Sequence, residues 1–148
     1  MKRFAFRLEQ VRRWRQDQEE LEEMRLEQFH AALRSIEAQQ REIAAAAQSR
    51  RAVLAQSAVT AEELGSLESV HEYAKEEIRR LKGEEQDWKA RIEEQIQRVL
   101  EANRRFQLLD GLRDKALVAW TAARDKEQEE LGAEVYLSKL ARKAGSKF

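Results

Sequence analysis

The sequence contains no proline and no cysteine, only five glycines, and no net charge. Without proline, nothing along the chain removes a backbone donor and breaks a helix. Without cysteine there is neither a disulfide nor thiolate chemistry, which fits a reducing compartment. The 28 basic side chains are matched by 28 acidic ones, so bulk attraction to nucleic acid or to an anionic membrane is not expected. No apolar run approaches the roughly 20 residues of a membrane-spanning helix. The basic opening Met1-Lys2-Arg3-Phe4-Ala5-Phe6-Arg7 is not followed by the apolar stretch of a signal peptide. These absences point to a cytoplasmic protein, at most peripheral at a membrane.

What is present is helix-forming and periodic. Ala, Leu, Glu, Arg, Lys and Gln dominate, all good helix formers, and 38% of residues are charged, a composition typical of coiled coils. Disorder is the competing reading for so polar a chain, but 42% apolar residues at regular spacing argue against it. Alternating steps of three and four connect Leu64, Leu67, His71, Ala74, Ile78, Leu81, Glu85, Trp88, Ile92, Gln95, Val99, Ala102, Phe106, Leu109, Arg113, Ala116, Trp120 and Ala123. A strand needs period two, and a heptad sustained this long defines a left-handed coiled-coil seam. Ile96, Leu100, Leu108, Leu112 and Leu117 widen the apolar stripe.

An earlier stretch repeats the pattern through Leu26, Phe29, Leu33, Ile36, Gln40, Ile43, Ala47, Arg50 and Leu54. Upstream, Phe4, Leu8, Val11, Trp14, Leu21 and Met24 fit no single heptad frame, and a stutter near Leu26 to Phe29 would reconcile the halves. Between the two periodic regions, Thr60 and Glu63 fit a capping box, with Val59 and Leu64 placed for a hydrophobic staple. Gly65 would also allow the helix to restart at Ser66, so the break falls within residues 57–66. So short a connection favours antiparallel neighbours. The expected architecture is all-α, a single coiled-coil domain of two long helices in an antiparallel hairpin. Helix 1 spans about 4–56, the turn about 57–65, helix 2 about 66–140, and a frayed tail 141–148.

The helices are unequal. Folding about residue 58 sets Phe4 roughly opposite Leu112, for a paired section of about 80 Å. Beyond Arg113, helix 2 then projects without an intrachain partner, yet Leu117, Trp120, Leu131, Val135, Tyr136 and Leu140 remain apolar. Such a stripe reads as a binding surface or a dimer seam, with Trp120 the candidate anchor. Charge sorts as well: Lys2, Arg3, Arg7, Arg12, Arg13 and Arg15 face only Glu9 in residues 2–16, and Arg104, Arg105, Arg113 and Lys115 should lie near them.

Sites for chemistry do not emerge. No phosphate-binding glycine loop is present. The two histidines, His30 and His71, lie on different helices without zinc spacing, and His71 falls on the seam as a tolerated polar core residue. Carboxylate pairs such as Glu76/Glu77 and Glu129/Glu130 lack the water-excluding pocket that acid–base work needs. The expectation is a non-enzymatic interaction protein with no catalytic residues, no cofactor and no metal.

The opening Phe4-Ala5-Phe6-Arg7-Leu8-Glu9-Gln10-Val11-Arg12, followed by a Glu-rich helix, resembles the start of the flagellar export protein FliJ family. Leu109-Asp110-Gly111-Leu112-Arg113-Asp114-Lys115-Ala116-Leu117 and Arg124-Asp125-Lys126-Glu127-Gln128-Glu129-Glu130-Leu131 are similar to that family's closing helix. After Leu131 the family usually continues with acidic residues, where this chain has Gly132-Ala133-Glu134. The resemblance implies a component of the flagellar type III protein export apparatus, serving motility and shaped like the central stalk, or γ subunit, of rotary ATPases. The implied partners are the export ATPase hexamer, the export gate protein and export chaperones. On that resemblance Arg7, Val11, Arg12, Trp14, Arg113, Leu117, Trp120 and Arg124 would contact the ATPase, and Tyr73 and Ile78 would serve the loop end. A virulence-type secretion stalk differs from this only by resemblance.

Two other readings remain. One is a self-associating scaffold, in which the seam after Arg113 pairs between chains as a four-helix dimer, although a monomer is the favoured state. The other is nucleic-acid or anionic-lipid binding through residues 2–16, which is least favoured because acid balances base and no aromatic stacking platform is visible.

Overall fold

The structure, a computed structural model, describes residues 2–56 and 60–146. It contains two helices, α1 (Glu9–Gln56, 48 residues) and α2 (Ala61–Ser146, 86 residues). The two pack against each other as the all-α hairpin that the heptads predict. Contacts divide the chain into two units, Met1–Gln18 with Ala102–Phe148 and Glu19–Glu101. In both, partner numbers fall on α2 as they rise on α1, which is the mark of antiparallel helices.

In the second unit, 19–101, Phe29 meets Trp88 edge to face, with centroids 5.4 Å apart. Ile36, Leu81, Ile92 and Gln95 are buried between the helices. The α2 seam holds from Leu67 through Val99 at the expected positions, each half-buried or buried. Leu64, proposed as the first seam residue, is exposed. Two polar contacts fix the register: Gln95 Nε2 donates to the Glu22 carbonyl at 2.9 Å and Gln40 Nε2 donates to Glu85 at 3.1 Å. A polar pair in a coiled-coil seam is satisfied at one alignment only and so opposes slippage.

The expected start of helix 2 near residue 66 moves to Ala61, because the capping box forms. Glu63 N donates to Thr60 Oγ1 at 3.3 Å, and Thr60 N donates to the Glu63 carboxylate at 3.4 Å. Gly65 sits inside the helix. Val59 and most of the turn, 57–59, lie outside the described residues. At the far end α2 runs to Ser146 rather than stopping near 140, and Lys143 in its last turn complements the helix dipole.

Two expectations fail on α1. The helix begins at Glu9 rather than near residue 4. Phe4 and Phe6 are half-buried while Ala5 and Arg7 are exposed, the period-two pattern of an extended segment. Glu9 N donates to Phe6 O at 3.1 Å where the chain turns into the helix. The stutter near Leu26 to Phe29 is also absent. The three-and-four step runs unbroken from Leu26 back through Glu22, Glu19, Arg15 and Arg12, all half-buried. Polar residues occupy the seam there, and Val11, Trp14, Leu21 and Met24 face solvent instead.

Candidate partner-binding surfaces

In the first unit a charged and aromatic cluster replaces an apolar core. Arg12 is its hub: Nε donates to Asp110 at 3.0 Å, Nη1 to Glu9 at 3.2 Å, and the guanidinium stacks 5.3 Å from the Phe106 ring centre. The hydrogen bond to Asp110 is the main reason its pKa rises above the ordinary arginine value. Glu9 also lies 3.5 Å from Arg113 Nε and 3.4 Å from Arg13 Nε. Arg113 in turn sits over Phe4 at 5.9 Å. Arg12 and Arg113, expected to face a partner, are thus half-buried and engaged inside the unit.

Trp120 was expected to lie on unpaired helix. It does not. Lys2 and Phe4 meet it: Phe4 packs edge to face at 6.0 Å, and the indole Nε1 donates to Lys2 O at 3.2 Å. An extended chain advances about 3.3 Å per residue against 1.5 Å in a helix, so Phe4 reaches roughly two helical turns beyond Leu112. The expectation that α2 is unpartnered from Arg113 onward is corrected accordingly. Arg124 lies 5.1 Å from the Trp120 ring centre, and its Nε is buried without a hydrogen-bond partner.

The uncovered helix begins at Asp125. Every described side chain from Asp125 to Gly145 is exposed, including Leu131, Val135, Tyr136, Leu137 and Leu140. Its charge is uneven, with Asp125, Glu127, Glu129, Glu130 and Glu134 against Lys126 in the first part and Lys139, Arg142 and Lys143 in the second.

The remaining candidates separate by exposure. Arg7, Val11 and Trp14 are exposed, the last with Arg15 stacked 4.7 Å from its ring centre. Leu117 is at the edge of exposure. Leu108, Leu112 and Val118 are also exposed, and their off-seam positions were the available signal. In the second unit Ile78 lies on the helix–helix seam, half-buried, and so offers a partner little surface. Tyr73 is 68% exposed and donates to Glu77 at 3.4 Å. Beside it, Leu54, Leu64, Leu67, Val70, His71 and Ala74 line an apolar groove of about 270 Å³, where the helices fit loosely.

Among the described residues, no group of three or more His, Asp or Glu is placed to hold a metal ion, and no helix is long and apolar enough to cross a membrane. No family model, curated protein or solved structure matches the chain.

Proposed function

We propose that the chain is a non-enzymatic component of the flagellar type III export apparatus. It binds the export ATPase ring as a central stalk, promotes ring assembly and couples the ring to the export gate. It works in the cytoplasm, associated peripherally with the membrane-bound apparatus. The observation that carries the reading is the helix from Asp125 to Gly145, which keeps five large apolar side chains exposed. Isolated exposed leucines need no explanation, but five within ten residues on an unpaired helix fit a surface that a partner covers. The resemblance of residues 4–12 and 109–131 to the FliJ family names that partner. Tyr73 and the groove at Leu54 and Leu67 suit a second contact at the loop end.

The uncovered helix also favours a second reading, a self-associating scaffold. Its acidic half and basic half would match in an antiparallel pair of chains. Equilibrium sedimentation separates the two, because a monomer at micromolar concentration excludes the scaffold. For the stalk, the purified chain is mixed with its export ATPase. Increased hexamer formation and hydrolysis are expected, and an unchanged ATPase would refute the assignment.

A further inference from the structure

Residues 2–6 form a strap that meets α2 at Trp120 through Lys2 and Phe4. Arg124 stands over the Trp120 ring, and Arg113 stands over the ring of Phe4 that packs on it. The strap is held by Phe4, which packs on Trp120 and under Arg113, and by the hydrogen bond from Trp120 Nε1 to Lys2 O. Its own side chains Lys2 and Arg3 are exposed and carry the same sign as those two arginines. The Arg124 Nε, a buried donor, has no acceptor, although its Nη2 lies 3.6 Å from Asp125. A desolvated donor without an acceptor costs stability.

We infer that the strap is displaceable, and that the Trp120 surface it covers is a recognition site for an acidic peptide segment carrying an aromatic residue. The strap is the template for the ligand. Phe4 shows that a ring fits edge to face on the indole, and Lys2 O shows where a backbone carbonyl accepts from Nε1. A ligand that repeats this ring and carbonyl, with carboxylates where the strap has Lys2 and Arg3, meets Arg113 and Arg124 with opposite charge. It can also give the Arg124 Nε the acceptor it lacks. Charge-assisted hydrogen bonds to guanidinium are stronger than neutral ones, so such a segment outcompetes the strap despite the strap's intramolecular advantage. The site lies in the end of the molecule assigned above to the ATPase and therefore deepens that reading.

The test is nuclear magnetic resonance on the full chain, following the three indole N–H signals, with the Trp120 signal assigned by Trp120→Phe. The probes are two synthetic peptides with a Phe-Ala-Phe centre, one flanked by glutamates and one by lysines. The glutamate peptide should shift the Trp120 signal and leave that of Trp88 in place, and the lysine peptide should bind at least tenfold more weakly. Phe4→Ala removes the strap's ring and should tighten the glutamate peptide roughly 2- to 10-fold, the range set by losing one aromatic pair. Arg124→Gln should weaken it. Circular dichroism checks that both variants keep their helix. Equal binding of the two peptides, an unmoved Trp120 signal, or no gain from Phe4→Ala in a folded chain would each overturn the proposal. No ATPase enters the titration, so its failure leaves the stalk reading to its own experiment.

Discussion

The two units solve the problem of joining α1 to α2 in opposite ways. The second unit, 19–101, holds the four buried residues Ile36, Leu81, Ile92 and Gln95, on a seam that is mostly apolar. The first unit places Arg12, Arg15, Arg113 and Trp120 on its seam, and none of its described residues is buried. Burial of apolar area is the main stabilising term, so the second unit secures the hairpin. In the first, salt bridges and stacking over half-exposed rings give modest stability and leave Val11, Trp14, Leu108 and Leu112 facing outward. A chain that needed only to be a stable hairpin would put those four residues inside.

The largest expected effect that separates the units is a pair of leucine truncations. Leu81 is 1% exposed and Leu117 36%. Leu81→Ala should cost about 3 kcal/mol in chemical denaturation, as a buried leucine does, while Leu117→Ala should cost less than about 1 kcal/mol. Similar losses at both sites would break the contrast. Next, Gln95→Ala should cost about 1–2 kcal/mol, because the Glu22 carbonyl and carboxylate lose their donor in a closed seam. In the first unit, Asp110→Ala should cost no more than about 1 kcal/mol and less at high salt, since Arg12 keeps Glu9 and Phe106. A Gln95 loss no greater than that of Asp110 would remove the polar seam as a register device.

The smallest effect is in pH. Hydrogen bonds from Lys89 and then from Gln40 hold the Glu85 carboxylate below its ordinary value of 4.5. A depressed carboxylate stabilises the fold above its unfolded value and loses that contribution as pH falls through the folded one. Thermal stability should therefore decline as the solution is acidified below about pH 4.5, and Glu85→Gln should flatten part of that decline. An identical acid limb in the variant would show that the Gln40–Glu85–Lys89 contact is not what titrates.

Much of the fold could be read from spacing alone, and the errors have one cause. From Leu67 to Trp120 the seam on α2 follows the heptad, polar members such as Glu85 and Gln95 included, because the step of three and four fixes which positions meet whatever occupies them. On α1 the apolar residues Val11, Trp14, Leu21 and Met24 lie off the step, and their spacing predicts a stutter where the half-buried seam has none. At those four positions apolarity does not mark burial. The strap was missed for a related reason. Phe4 and Phe6 are two apart, a strand-like spacing, but two residues are too few to outweigh the helical letters around them. Because extended backbone covers more distance per residue, that error also misplaced Trp120, the residue on which the sequence rested most functional weight. Exposure of Leu131 through Leu140 could be read once α2 was known to be longer than α1, because there is no more α1 to cover it.

The most direct test of the account compares the full chain with one ending at Arg124, measuring affinity for the export ATPase by calorimetry. The shortened chain keeps the strap, the Arg12 cluster and the whole second unit, and loses only the helix whose apolar side chains are uncovered. At least a tenfold loss of affinity is predicted, with the remaining helix unchanged by circular dichroism. Equal affinity for the two chains would contradict the claim that this helix is the gripping surface.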